Sequence, residues 1–223
     1  MTQLAGLTHP LYAITDTTQF CGNRLYTVAE QLLAGGCQLL QYRDKSTDST
    51  RRQREARTLA QLCRRYQGAL IINDDLELAR RCKAQGVHLG QSDCSLALAR
   101  QKLGRDAIIG ITCHASLSLA ASAAAGGANY LAFGRFFSSQ TKPDAPAAPL
   151  SLLAAARQHW PQLPRVAIGG IGLNNAQQVL HAGANYTAVC HDAFHCDDPR
   201  EFATQFATFL QGEPTPEPPT VFS

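Results

Sequence analysis

From Cys37 to Asn73 the chain reads CQLLQYRDKSTDSTRRQREARTLAQLCRRYQGALIIN. The run CQLLQYR (37–43) is short and mostly apolar, as a buried strand is. The segment from Thr47 to Tyr66 places apolar residues three and four apart, which is the helical period. ALIIN (69–73) is a second strand-like run. Strand, helix, strand is the unit from which parallel sheets are built.

The same alternation runs through most of the sequence. Further strand-like runs are LYAIT (11–15), VHLG (87–90), AIIGIT (107–112), NYLAFG (129–134), VAIGG (166–170) and YTAVC (186–190). The segments between them include TVAEQLLAGG, DLELARRCKAQ, SLALARQKLG and SLSLAASAAAGG, then LSLLAAARQHW, NNAQQVLHAG and PREFATQFATFL. Glycines after several of these mark helix stops. Eight such units is the count at which a parallel sheet closes, so the expected fold is α/β, a single (β/α)8 TIM barrel over residues 1–211. An open doubly wound sheet would need G-x-G-x-x-G after the first strand, and DTTQFCGNR follows Thr15 instead. The proline-rich GEPTPEPPTVFS (212–223) has no periodicity and is expected to be a disordered tail. Clustered arginines on the helical segments, such as Arg51, Arg52, Arg54 and Arg57, read as a solvated outer face.

With 20 Lys plus Arg against 17 Asp plus Glu, the net charge of +3 is too mild to argue for nucleic acid or a membrane surface. No apolar run is long enough to span a bilayer, and MTQLAGLTHP does not read as a signal peptide. A soluble cytoplasmic protein is the default expectation, and a homo-oligomer is compatible with it. The eight cysteines include no C-x-x-C pair. CHDAFHC (190–196) offers four metal-capable groups, but structural zinc usually draws its ligands from two separated pairs. Ordinary buried thiols and surface histidines are the better reading of that stretch.

Barrel enzymes work at the C-terminal ends of their strands. Polar residues expected there are Thr15 and Asp16, then Gln41, Arg43 and Lys45, then Asn73, Asp74 and Asp75. Gln91, Asp93, Thr112 and His114 follow, with Ser138, Ser139, Thr141 and Lys142 on a long loop after strand six. Side chains two apart on a strand share a side, so Gln41, Arg43 and Lys45 are expected to converge. A planar guanidinium and a point-charge ammonium together suit a diphosphate; an ion-pair layer with Asp16, Asp74 or Asp93 is the structural alternative. Asp74 and Asp93 end neighbouring strands, where two carboxylates can hold Mg²⁺ that also binds phosphate oxygens. AIGGIG (167–172) is a second anion cue, since glycines there let backbone N–H groups approach a phosphate.

YAITD, QYRDK, LIINDD, GVHLGQSD, IIGIT, GRFFSSQTK and VAIGGI resemble, in order and spacing, the motifs of the thiamine-phosphate synthases. The resemblance runs from about Tyr12 to Val189. It implies a (β/α)8 transferase joining hydroxymethylpyrimidine diphosphate to thiazole phosphate or its carboxylated form, with release of diphosphate, plus carbon dioxide from the carboxylated substrate. Carried over by position, Gln41, Arg43, Lys45, Asn73, Thr112 and Lys142 would bind the pyrimidine diphosphate. Arg43, Lys45 and Lys142 are the expected catalytic cations, and Asp74 and Asp93 the Mg²⁺ ligands. Ser139 and Thr141 would meet the thiazole phosphate, with Gly170, Val189 and Cys190 behind it. The implied mechanism is dissociative: diphosphate leaves first and the thiazole nitrogen captures the cation. The chain departs from the family pattern at Thr112, usually serine, at Ser139, usually threonine, at Cys190, usually serine, and in GRFF at the start of loop six. Two other readings are a thiazole tautomerase-like paralogue and a non-catalytic sensor of thiamine precursors.

Overall fold

A computed structural model of the chain describes residues 3–138 and 147–209. Its strands are β1 Leu11–Ile14, β2 Leu39–Tyr42, β3 Ala69–Asn73, β4 Gly86–Leu89, β5 Ile108–His114, β6 Tyr130–Gly134, β7 Arg165–Ile168 and β8 Tyr186–Val189. They pair in parallel in chain order, and β8 returns to β1 to close the barrel. The helices before the fifth strand are α1 Gly22–Ala34, α2 Ser49–Arg65, α3 Leu76–Cys82 and α4 Leu96–Leu103. Those after it are α5 Leu117–Ala125, α6 Ser151–His159, α7 Ala176–His181, α8 His191–His195 and α9 Pro199–Thr208.

Strand alternation sorts the apolar residues into two cores. Tyr12, Ile14, Leu39, Ile71, Ile108, Tyr130, Val166 and Tyr186 fill the barrel interior. Leu40, Leu70, Ile72 and Leu131 face outward and pack with Leu25, Leu32, Leu59 and Cys63 of the helices. Several helices start on a side chain that accepts a free backbone N–H: Asp48 for α2, Asp75 for α3, Ser95 for α4, Ser116 for α5 and Asp198 for α9. The 3₁₀ turn Gln3–Gly6 brings Leu4 into the barrel core, and the Tyr186 hydroxyl donates to the carbonyl of Leu7 at 2.6 Å. At Gly110 a Cβ would lie 1.8 Å from a ring carbon of Tyr130, so only glycine leaves room for that ring.

Several strands stop before the apolar runs do. β1 ends before Thr15, β2 before Arg43, β7 before Gly169 and β8 before Cys190, leaving these residues in the rim loops. α1 starts at Gly22, ahead of the expected Thr27, and Leu25 in its first turn is already fully buried. A short helix, α8, occupies the CHDAFHC stretch. The arginine-rich α2 also turns one charged side chain inward: Glu55 is fully buried and accepts from Gly22 N–H and the Tyr42 hydroxyl, each at 2.8 Å. The expected tail, 212–223, and the loop residues Ser139, Thr141 and Lys142 lie outside the described residues. Among the described residues no helix is long and apolar enough to cross a membrane.

Candidate active site

The ends of β2, β3 and β4 bring a cation and two carboxyls together. Lys45, past the end of β2, forms an ion pair with Asp74 Oδ2. The Asn73 amide at the end of β3 donates to the same oxygen at 2.6 Å. Asp74 reaches this position through a left-handed backbone (φ 64°), a conformation that Asp tolerates better than most residues. Asp93, beyond β4, accepts from Gly90 N–H at 2.7 Å and shares a hydrogen bond with Asp74. Burial first, and then the neighbouring Asp74, hold the Asp93 carboxyl above its usual range. Two carboxyls crowded in this way fit a hard divalent cation, which relieves their repulsion and leaves positions for phosphate oxygens. A depression of about 220 Å³ opens here, lined in part by Lys45, Ser46, Arg52, Asn73 and Asp74.

Gln41 and Thr112 are joined through the barrel by residues the sequence did not single out. The Gln41 amide donates to the Tyr12 hydroxyl at 2.8 Å, and that hydroxyl lies 2.9 Å from the hydroxyl of Tyr130. Tyr130 Oη is 2.9 Å from His88 Nδ1, and His88 Nε2 is 2.8 Å from Thr112 Oγ1. Burial raises both phenol pKa values, so both phenols are neutral. With Gln41 donating into Tyr12, each buried proton finds an acceptor when Tyr12 donates to Tyr130, Tyr130 to His88, and His88 to Thr112. Thr112 then keeps its own hydroxyl proton to offer at the barrel mouth. Tyr12 and Tyr130 read as core aromatics in the sequence. His88 lies inside the quoted GVHLGQSD motif, yet its partners are far away in the chain.

Arg43 follows the last residue of β2. Its backbone N–H donates to Thr15 Oγ1 at 2.9 Å and its carbonyl accepts from the Thr17 hydroxyl at 3.0 Å. Among the described residues its guanidinium makes no hydrogen bond or ion pair, and its charge acts on Cys190 past β8. β2 ends at Tyr42, so Arg43 and Lys45 stand in the loop beyond it, where Lys45 pairs with Asp74 and the charge of Arg43 is felt at Cys190. Burial pushes the Cys190 thiol up to about 11, with Asp16 adding to the rise and Arg43 opposing it, so a neutral thiol stands there. Val189 is buried at the end of β8. Gly170 (φ 62°) packs so closely that a Cβ would lie 2.1 Å from the Ser138 carbonyl oxygen. That glycine thus also lets the loops after β6 and β7 touch.

The model of the thiamine monophosphate synthase family matches residues 11–193. The chain belongs to that family. It is similar to the thiamine phosphate pyrophosphorylase from Pyrococcus furiosus, with 29% identity and a TM-score of 0.82 over 92% of this chain and 96% of that one. The thiamine phosphate pyrophosphorylase from Bacteroides thetaiotaomicron shares its fold at 17% identity, with a TM-score of 0.65 over 90% of this chain and 97% of that one. So does the orotidine 5'-phosphate decarboxylase from Pyrococcus horikoshii, at 14% identity and a TM-score of 0.65 over 90% of this chain and 100% of that one. The family assignment makes the rim described above the active site to be expected in a thiamine monophosphate synthase, and makes the chain a transferase.

Proposed function

We propose that this protein joins hydroxymethylpyrimidine diphosphate to thiazole phosphate, or its carboxylated form, giving thiamine phosphate and diphosphate, plus carbon dioxide from the carboxylated substrate. The observation that carries the reading is the meeting of Lys45, Asn73, Asp74 and Asp93 at one rim position. The bond from the pyrimidine methylene to the diphosphate oxygen breaks first, and its electron pair leaves with the diphosphate. The thiazole nitrogen then gives its lone pair to the pyrimidine-methyl cation, forming the new C–N bond.

Lys45 and Arg43 neutralise the departing charge, and Lys142 joins them from loop six. Gln41, Asn73 and Thr112 hold the pyrimidine diphosphate in register. Ser139 and Thr141 take the thiazole phosphate, with Gly170, Val189 and Cys190 behind it. Asp74 and Asp93 would hold Mg²⁺, which supplies charge neutralisation on the leaving diphosphate. Both substrates are small molecules, and the reading involves no nucleic acid or membrane. Eight free cysteines fit a reducing, cytoplasmic setting.

The test is a turnover assay of the purified protein with Mg²⁺, the pyrimidine diphosphate and each form of the thiazole phosphate. Thiamine phosphate formation supports the reading. Binding of both precursors without coupling favours a sensor, and thiazole isomerisation alone favours the tautomerase-like paralogue.

A further inference from the structure

The stretch CHDAFHC does gather metal-capable groups, but with a partner from the other end of the chain. His191 and His195 lie one helical turn apart on α8, their rings stacked with centroids 4.1 Å apart. Asp16, just beyond β1, places Oδ2 3.1 Å from His195 Nε2. One ligand atom from each of the three residues lies within 4.8 Å of the others. The closed barrel creates this meeting, because β1 and β8 are neighbours in space.

Supporting contacts orient the group. Thr18 donates to Asp16 Oδ1 through both its backbone N–H and its hydroxyl, which leaves Oδ2 facing the histidines. The His195 ring stands edge-on to Phe20 at 5.0 Å, and Phe20 is fixed by Phe194 and by the Arg24 guanidinium 4.3 Å from its centroid. Outer contacts of this kind set the orientation of metal ligands. His191 is exposed, so an ion has a way in.

We infer that Asp16, His191 and His195 form a binding site for a divalent transition-metal ion of the imidazole-seeking class, of which Zn²⁺ is the representative. Histidines at i and i+4 on one helix are a standard chelating pair. Two imidazoles and one carboxylate prefer such ions over Mg²⁺, so this site differs in chemistry from the Asp74–Asp93 pair at the ends of β3 and β4. Three protein ligands leave a coordination position for water or an anionic oxygen. The cysteines of the stretch are not needed.

Co²⁺ alone, added to the full-length untagged protein without substrate, is the probe. The wild type is expected to bind one equivalent, with visible d–d absorption that Zn²⁺ displaces and excess Mg²⁺ does not. His191→Ala and His195→Gln should each weaken binding by more than about 100-fold, Thr18→Ala by about 10-fold, and Cys190→Ser should leave it unchanged. Circular dichroism checks that the variants fold, and the exposed position of His191 makes its variant the safest. No absorption band, a band that survives both histidine substitutions, or a thiolate charge-transfer band lost in Cys190→Ser would each overturn the assignment. Because no substrate is present, failure here leaves the synthase reading standing.

Discussion

The hydroxyls of Tyr12 and Tyr130 lie 2.9 Å apart inside the barrel, their rings edge to face with centroids 5.9 Å apart. Through Gln41 on one side and His88 on the other, this contact joins two expected substrate-binding residues, Gln41 and Thr112. Tyr130→Phe keeps the ring but removes the hydroxyl that meets both His88 Nδ1 and the Tyr12 hydroxyl, leaving Tyr12 its bond from Gln41. The expected cost is about 1–3 kcal/mol in urea unfolding. If the chain also orients Gln41 and Thr112, KM for the pyrimidine diphosphate rises while KM for the thiazole phosphate stays put. Equal changes in both would show a purely structural role.

Glu55 predicts a second outcome. Its carboxyl joins α1, α2 and β2 by accepting from Gly22 N–H and the Tyr42 hydroxyl. Glu55→Ala leaves Gly22 N–H without its acceptor and the Tyr42 hydroxyl with only Asp44 Oδ2, and chemical denaturation should show a loss of about 1–3 kcal/mol. Glu55→Gln should cost less, because one acceptor oxygen remains and the Tyr42 hydroxyl also lies 3.2 Å from Asp44 Oδ2. A wild-type midpoint in Glu55→Ala would contradict the bridge.

His9 gives the fold an acid-sensitive joint. Its Nδ1 accepts from Leu11 N–H at 3.2 Å, which leaves Nε2–H to donate to the Ala203 carbonyl of α9 at 3.0 Å. Burial, only partly offset by the Ala203 bond, lowers its pKa below 6.5. The unfolded chain therefore binds more protons than the folded one just below pH 6.5. The stability His9 contributes is complete above that pH and falls as the pH drops towards the folded-state value. His9→Gln should flatten this slope in urea unfolding between pH 7 and about pH 5. An unchanged slope would mean that other groups set the acid response.

The barrel was legible because parallel strands buried on both faces leave continuous apolar runs, and ALIIN coincides with β3. Asp74 and Asp93 could be paired from the sequence because they follow adjacent strands. Glu55 could not, since a buried carboxyl and its solvated arginine neighbours look alike until Tyr42 and Gly22 are placed in space. The same holds for Tyr12, His88 and Tyr130, whose hydrogen bonds join distant positions in the chain. Asp16 is separated from His191 and His195 by nearly the whole chain, and only closure of β8 onto β1 unites them.

The most direct test is diphosphate release and thiamine phosphate formation with Mg²⁺, compared between wild type and Asp93→Asn. The account predicts equal amounts of the two products from the wild type and a fall of about 10³-fold in kcat for the variant. The variant's melting curve should stay close to wild type, because a rim carboxyl contributes little to the core. Magnesium-dependent turnover at the wild-type rate in Asp93→Asn would contradict it.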